Sequence, residues 1–163
     1  MRPSVGRAVV VLGAFVSCLA SASTAHAGAG AGLAAYNKGK AAFEKGDLRA
    51  AADWFEKAFA AEPSAVYRFS EASCLRRLGE NAKAAALYED YIRLVPAGDD
   101  APLERAKAVA YAADLRLAVG LAFKKSGDCA SAIVELNRAL GHAPRAAAWF
   151  YVGECAESMR DML

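Results

Sequence analysis

The chain has 163 residues, of which 56% are apolar and 23% are charged, which is the size of one ordinary domain and too short for a multidomain enzyme. Alanine supplies 41 residues, whereas valine and isoleucine are scarce beyond the first sixteen positions, so we expect an all-α fold. Without Arg2 and Arg7, which we assign to a leader below, 18 basic residues stand against 18 acidic ones. Overall charge therefore gives no reason to expect nucleic-acid binding.

Residues 1–27 are typical of a secretory signal peptide. Arg2 and Arg7 form a charged head, residues 8–20 form an apolar stretch, and Ala25-His26-Ala27 is a small-x-small cleavage site. The apolar stretch is shorter than a membrane-spanning helix. We therefore expect export, cleavage, and a periplasmic or secreted protein that is not inserted in the membrane afterwards.

Two alternatives to cleavage stay open. The segment could remain as an uncleaved anchor helix, or Phe15-Val16-Ser17-Cys18, which loosely resembles a lipobox, could give a protein that is lipid-anchored through Cys18. The glycine-rich residues 28–32 lack the strand and helix context of a phosphate loop, so we expect them to form a flexible leader to the first helix.

Three windows of 23 residues, 41–63, 74–96 and 122–144, align without gaps, and each ends in proline. Each window contains a glycine to end one helix, an acid to begin the next, a small alanine where two helices cross, and a bulky residue one turn later. In the order of the windows these are Gly46, Gly79 and Gly127; Asp47, Glu80 and Asp128; Ala51, Ala84 and Ala132; Phe55, Tyr88 and Leu136. The closing prolines are Pro63, Pro96 and Pro144.

This pattern resembles the second half of the tetratricopeptide repeat (TPR). In the third copy Val119-Gly120-x2-Phe123 is similar to the Leu-Gly-x2-Tyr of the first half; the earlier copies place Gly39 and Ala72 at the glycine position. The resemblance implies a right-handed α-α superhelix of about seven helices within residues 28–163. Its repeats would span about 32–63, 64–96 and 102–144, followed by a terminal helix at 145–160.

The spacing of the prolines predicts one unusually long helix. Pro63 and Pro96 are 33 residues apart, but Pro96 and Pro144 are 48 apart. The additional residues continue an apolar pattern of three- and four-residue steps from Pro102 to Ser126, which predicts a helix roughly 37 Å long that overhangs its repeat.

The terminal helix carries the apolar run from Trp149 to Val152. Such a helix either caps the solenoid or leaves apolar surface for a partner or for a second copy of the protein.

The sequence predicts no catalytic, metal-binding or cofactor-binding site. Metal-ligand spacings of the Cys-x2-Cys or His-Glu-x2-His type do not occur. His142 is predicted in a solvated turn, and the acidic residues are predicted on solvated helix faces. We therefore expect a protein that is not an enzyme, and we rank a small-ligand binder or enzyme last among the function classes.

The cysteines after the leader are odd in number, namely Cys74, Cys129 and Cys155. The predicted turn at residue 142 lies midway between Cys129 and Cys155, so an antiparallel hairpin places both at one height, where a disulfide would form in an oxidising compartment. An ordinary apolar contact is the alternative, because the preceding hairpin has Leu48 and Cys74 at the same places. Cys74 is expected to be a buried apolar residue.

The resemblance implies that the first helices of the repeats line a concave groove, and that the ligand is an extended or helical segment of another protein. One stripe on each first helix runs from apolar to basic residues, namely Tyr36, Lys40 and Phe43; Phe69, Ser73, Arg76 and Arg77; Leu117, Leu121, Lys124 and Lys125. Such a groove would suit an amphipathic peptide with an acidic end. A purely structural explanation stays open, with the aromatic residues in the core and the cations at helix C-termini. The lysine and asparagine carboxylate clamp of some family members is not expected, since the stripes contain no asparagine.

We therefore predict a non-catalytic adaptor of the cell envelope that binds a peptide or helix of a partner protein. The alternative is a structural assembly protein that self-associates through the overhanging helix and the terminal helix.

Overall fold

The computed structural model describes residues 23–98 and 103–161, with side chains from residue 30 onwards. These ranges contain seven α-helices and no strand, which confirms the all-α expectation. The helices are α1 (Ser23–Glu44), α2 (Leu48–Ala61), α3 (Ala65–Arg77), α4 (Asn81–Leu94), α5 (Leu103–Lys125), α6 (Cys129–His142) and α7 (Ala146–Arg160). Each helix packs mainly against its neighbours in the chain, so the fold is an all-α helical repeat solenoid.

The helix ends follow the repeated residues. Gly46, Gly79 and Gly127 adopt φ values of 82°, 78° and 86° between the two helices of each repeat, a conformation that other L-residues rarely adopt. The second helices end at Ala61, Leu94 and His142, in each case two residues before the closing proline.

Two of the three predicted N-caps have the expected geometry. Asp47 accepts a hydrogen bond from the backbone N–H of Ala50 at 3.1 Å, and Asp128 accepts one from Ser131 at 3.0 Å. Glu80 makes no such bond. Its longer side chain instead forms ion pairs with Arg49 and Lys83.

The small residues allow the close helix crossings that the repeat pattern predicts. Ala51, Ala84 and Ala132 are completely buried. A Cβ added at Gly39 would lie 2.6 Å from the ring of Phe55, and one added at Gly120 would lie 2.8 Å from Cγ of Leu136. The bulky residue of each second helix thus occupies the space that a larger residue on the first helix would need.

The long fifth helix is confirmed, since α5 runs over 23 residues from Leu103 to Lys125. Its first turns overhang the array. Leu103 is 68% exposed, and Ala108 is the first fully buried residue of the helix. Arg105 fixes the overhang to the preceding loop by donating a hydrogen bond from Nε to the carbonyl oxygen of Val95 at 2.7 Å.

The apolar core consists of two clusters. One extends from α1 to α5 and includes Phe55, Leu75 and Tyr88. The other joins α5, α6 and α7 around Leu136 and Cys155.

A polar network involving α4, α5 and α6 lies between the two repeats that these helices belong to. Arg116 of α5 is buried and donates two hydrogen bonds of 2.7 Å to Glu89 of α4 and one of 2.9 Å to Glu135 of α6. Nε2 of His142 lies 3.0 Å from Oε1 of Glu89.

This network corrects two expectations. His142 was expected in a solvated turn, but it is the last residue of α6, where its contact with Glu89 leaves it only partly exposed. Acidic residues were expected on solvated faces, but Glu71 and Glu135 are buried because arginines pair with them, Arg68 in one case and Arg116 in the other.

The expectation of a flexible segment at residues 28–32 was wrong. These residues lie within α1, which already begins at Ser23. Gly32 is buried against the end of α2, and a Cβ added there would lie 2.8 Å from Cβ of Glu62. This glycine therefore allows a close helix contact. Most of the predicted signal peptide, with Cys18, lies outside the described residues.

In the described part of the chain, no helix has both the length and the apolar character needed to span a bilayer.

Candidate protein-binding groove

An open cavity of about 230 Å³ lies between α1 and α3, the first helices of the first and second repeats. Its walls come from both helices and from one residue of α2, and they consist of four aromatic and four polar or charged residues. The lining residues are Tyr36, Lys40, Phe43, Glu44, Phe55, Phe69, Ser70 and Ser73. The structure thus brings together Tyr36, Lys40 and Phe43 of the first predicted stripe with Phe69 and Ser73 of the second.

Aromatic contacts hold the walls of this cavity in place. The ring of Tyr36 lies 5.5 Å from that of Phe55 and 5.0 Å from that of Tyr67, so it joins α1 to both α2 and α3. Phe69 packs edge-on against Tyr88 of α4 at 5.4 Å. Ser73 and the hydroxyl of Tyr88 are hydrogen-bonded at 3.1 Å. The cavity is therefore a preformed apolar site with a few fixed polar groups.

The cations of the second stripe lie on aromatic rings, and one of these rings, that of Phe43, lines the cavity. The guanidinium of Arg77 lies 5.0 Å from the ring of Phe43, and that of Arg76 lies 4.3 Å from the ring of Tyr111. Both arginines are exposed, and neither forms an ion pair within the described residues. Lys40 is also exposed and has no carboxylate partner there, although Glu44 contributes a negative charge to the rim. Rings thus position two of these cations while leaving their charges available to a ligand.

The third stripe is separate from the cavity and lies where α5 meets α7. Leu117 packs in the second apolar cluster, next to residues of α6 and α7. Lys124 pairs with Glu154 at 2.9 Å and lies 5.0 Å from the ring of Tyr151. The hydrogen bond to Glu154 raises the pKa of Lys124. Leu121 is half-buried and Lys125 is exposed.

Several residues that line the cavity or contact its flanking cations were not predicted from the sequence as part of the site. Glu44 and Ser70 line the cavity, but they are neither apolar nor basic and so were not part of the predicted stripes. Tyr111 lies in the additional residues of the long α5, for which the other repeats have no equivalent. Phe55 was predicted as a packing residue, and its ring serves both the core and the cavity wall.

Cys129 and Cys155 are both present as thiols in the structure, as is Cys74. Burial, reinforced by a hydrogen bond with Cys129, raises the pKa of Cys155 to about 11. The two side chains thus face one another across the α6–α7 hairpin, and a disulfide between them stays a prediction. Burial likewise raises the pKa of Cys74 to about 11.

Within residues 23–98 and 103–161, no group of three or more His, Cys, Asp or Glu side chains is arranged to hold a metal ion.

The tetratricopeptide repeat family model matches the chain at residues 18–66, 36–102 and 117–162. The chain belongs to the tetratricopeptide repeat family. The two halves of each TPR motif correspond to the helix pairs α1–α2, α3–α4 and α5–α6, and α7 stands where the first helix of a further repeat would be. No match was found among curated proteins.

Solved TPR structures resemble the chain at low identity. The first TPR of Spaghetti (RPAP3) bound to the HSP90 peptide SRMEEVD is 20% identical with a TM-score of 0.47, covering 81% of this chain and 95% of that one. The N-terminal domain of stress-induced protein-1 (STI-1) from C. elegans is also 20% identical, with a TM-score of 0.47 and coverages of 83% and 99%. The TPR2AB-domain:pHSP90-complex of yeast Sti1 is 14% identical, with a TM-score of 0.39 and coverages of 80% and 48%.

Proposed function

We propose that this TPR protein is a non-catalytic adaptor of the cell envelope that binds a peptide or helical segment of another protein. The observation that carries the proposal is the α1–α3 cavity, which combines an aromatic floor with exposed cations. An aromatic floor of this kind favours a ligand that contributes apolar side chains.

The cations indicate that the ligand also carries negative charge. Arg76 and Arg77 lie on aromatic rings with no carboxylate partner in the described residues, so a ligand carboxylate could pair with them without breaking an existing ion pair. Lys40 adds a third cation at the cavity itself. We infer an amphipathic segment whose apolar side chains enter the cavity and whose acidic end lies at Arg76 and Arg77.

The location in the cell envelope is inferred from the sequence of the leader. Its charged head, apolar stretch and Ala-His-Ala site are typical of export. The predicted cleavage after Ala27 falls within α1, and it would leave the part of α1 that lines the cavity, from Tyr36 to Glu44, intact.

A labelled synthetic peptide tests the groove directly. The probe is a fifteen-residue amphipathic helix former with Leu and Phe on one face and four glutamates at its C-terminal end; a second peptide carries glutamines instead. Fluorescence anisotropy should show tighter binding of the acidic peptide. The Arg76→Glu/Arg77→Glu double variant should weaken that binding by about tenfold or more, because two charge-assisted contacts become repulsive.

Two further variants separate the groove from general surface charge. Ser70→Phe should also weaken binding, because the added ring fills the cavity that Ser70 lines. Lys57→Glu removes an exposed cation from α2, outside the cavity, and should leave binding unchanged. Equal affinity of the parent, the double-arginine variant and Ser70→Phe would show that the groove assignment is wrong.

A further inference from the structure

The face of α7 that a second helix would cover is open. In the complete α3–α4 hairpin the corresponding face of α3 is closed, since Ala72 and Leu75 are buried and Phe69 packs on Tyr88 and Tyr91. Repeat alignment places Phe150 at the position of Phe69, Gly153 at that of Ala72, and Ala156 at that of Leu75. All three are exposed, Phe150 by 61%, and the neighbouring Trp149 is 63% exposed.

The contact surface for a crossing helix is present on α7 but unused. At the same repeat position, Gly39 meets the ring of Phe55 and Gly120 meets Leu136, so close that neither site has room for a Cβ. A Cβ added at Gly153 would meet nothing within 4 Å. α7 packs against α6 and, to a smaller extent, α5. Among the described residues no helix lies over the Gly153 face.

We propose that this face binds the same face of a second copy of the protein, with the two α7 helices antiparallel about a two-fold axis at Gly153. Gly153 is the middle residue of α7, which runs from Ala146 to Arg160. The large side chains Trp149 and Phe150 lie before it, and the small Ala156 lies after it on the same face.

An antiparallel arrangement makes these halves complementary in size. Phe150 of each copy then lies opposite Ala156 of the other, next to the glycine, much as Phe55 lies on Gly39 within one chain. A parallel arrangement would instead set Trp149 and Phe150 against themselves and leave the small halves facing each other. Two-fold pairing thus uses one self-complementary surface, as in most homodimers.

The charges of α7 favour the same direction. Its N-terminal turn contains no acidic residue, has no side-chain cap, and follows Arg145. Its C-terminal end carries the exposed acids Glu157 and Asp161, against the single cation Arg160. Antiparallel pairing places Asp161 of one copy at the height of Arg145 of the other, and Glu157 near the positive helix start. Arg145 itself already pairs with Asp114 of its own chain at 2.9 Å, so the acidic ends are matched mainly to the positive helix starts.

Analytical ultracentrifugation of the purified full chain tests the proposal. The parent should change from monomer to dimer as its concentration rises through the micromolar to millimolar range. Phe150→Glu, which removes the anchor, and Gly153→Leu, which separates the two backbones, should both remain monomeric and keep their helical circular dichroism, because both positions are exposed. Leu103→Glu, on the overhang of α5, is the matched exposed apolar control and should dimerise like the parent.

Disulfide trapping tests the direction of the pairing. Ala146→Cys and Arg160→Cys should cross-link to one another when the two variants are mixed under oxidising conditions, because these positions lie at one height only in the antiparallel pair. Neither variant should cross-link through its new cysteine with itself. A parent that stays monomeric at millimolar concentration would overturn the proposal and leave the face to a different protein. Dimers that survive Phe150→Glu and Gly153→Leu, or that are lost in Leu103→Glu, would overturn it as well.

Discussion

At the scale of single residues, one repeat position shows how the same amino acid meets different demands. Gly39, Gly120 and Gly153 align with one another, and all three lie within helices. A bulky residue of the following helix covers the first two, whereas Gly153 is open. The glycines of α1 and α5 are therefore needed for packing. In α7 of the monomer, Gly153 makes no such contact, and its flexible backbone only destabilises the helix.

Alanine at these glycines should accordingly have opposite effects. Gly120→Ala places a Cβ 2.8 Å from Cγ of Leu136 and 3.2 Å from its backbone nitrogen. Because that backbone belongs to a packed helix, we expect a destabilisation of about 1–3 kcal/mol. Gly153→Ala meets no atom and should stabilise the monomer by up to about 1 kcal/mol through helix propensity. Urea unfolding followed by circular dichroism, at a concentration where the protein is monomeric, measures both. Equal effects of the two substitutions would contradict this account.

At the scale of helices, local sequence signals predict much of the structure. The helix boundaries at Gly46, Gly79 and Gly127 and the long α5 follow from turn chemistry and from the spacing of prolines, which act over a few residues. The sequence does not predict that Arg116 is buried, because its partners Glu89 and Glu135 lie 27 and 19 residues away on other helices. Of the site, the stripes of α1 and α3 do meet at a cavity, but the stripe of α5 faces α7. Which side of α5 is covered depends on a neighbour that the stripe itself does not reveal.

The α6–α7 hairpin should be joined by a Cys129–Cys155 disulfide once the protein is exported. The two thiols already interact, but joining them releases two protons and two electrons, so an oxidising compartment or an oxidase is needed to accept the electrons. The raised pKa of Cys155 slows the reaction, because its thiolate is scarce at neutral pH. Intact mass of the exported protein should give a chain that begins at Gly28 and is 2 Da lighter than its reduced form, as expected for the loss of two hydrogens.

Reduction of this disulfide should lower the free energy of unfolding by roughly 3 kcal/mol, because it opens the loop between the two cysteines. Three free thiols in the unfolded, unreduced protein would exclude the bond, and Cys129→Ser is the matched control.

At the scale of the whole molecule, two apolar clusters are arranged in series. A solenoid is stabilised by contacts between neighbouring repeats. The second and third repeats are therefore held together by the contacts that α4, α5 and α6 make with one another. The polar network of Glu89, Arg116, Glu135 and His142 involves all three of these helices. It therefore belongs to the contact through which the α1–α3 cavity and the α7 face are held in one molecule.

Replacing Glu89 should weaken this coupling. Glu89→Gln leaves Arg116 buried with Glu135 as its remaining carboxylate partner, and we expect a loss of about 2–4 kcal/mol at pH 7. Hydrogen exchange measured by mass spectrometry should then show α5–α7 opening before α2–α3, because the loss lies between them. Glu56→Gln is the matched control, since Glu56 holds the equivalent place in α2 but is exposed and has no ion pair in the described residues.

The effect of Glu89→Gln should depend on pH in a defined direction. Burial of Glu89 acts to raise its pKa, but hydrogen bonds from Arg116 and His142 outweigh burial, and the pKa of the folded state is lowered from its ordinary 4.5. A lowered carboxyl pKa stabilises the fold above the pKa of the unfolded chain, and this stabilisation is lost as the pH falls through the folded value. Burial raises the pKa of Glu71, so protonation of Glu71 changes the stability in the opposite direction. This contribution is the same in the parent and in the variant, and it cancels in their difference. Urea unfolding should therefore show a difference between parent and Glu89→Gln that shrinks as the pH falls below about 4.5. A difference that grows on acidification would mean that the carboxylate of Glu89 does not stabilise the contact between the repeats.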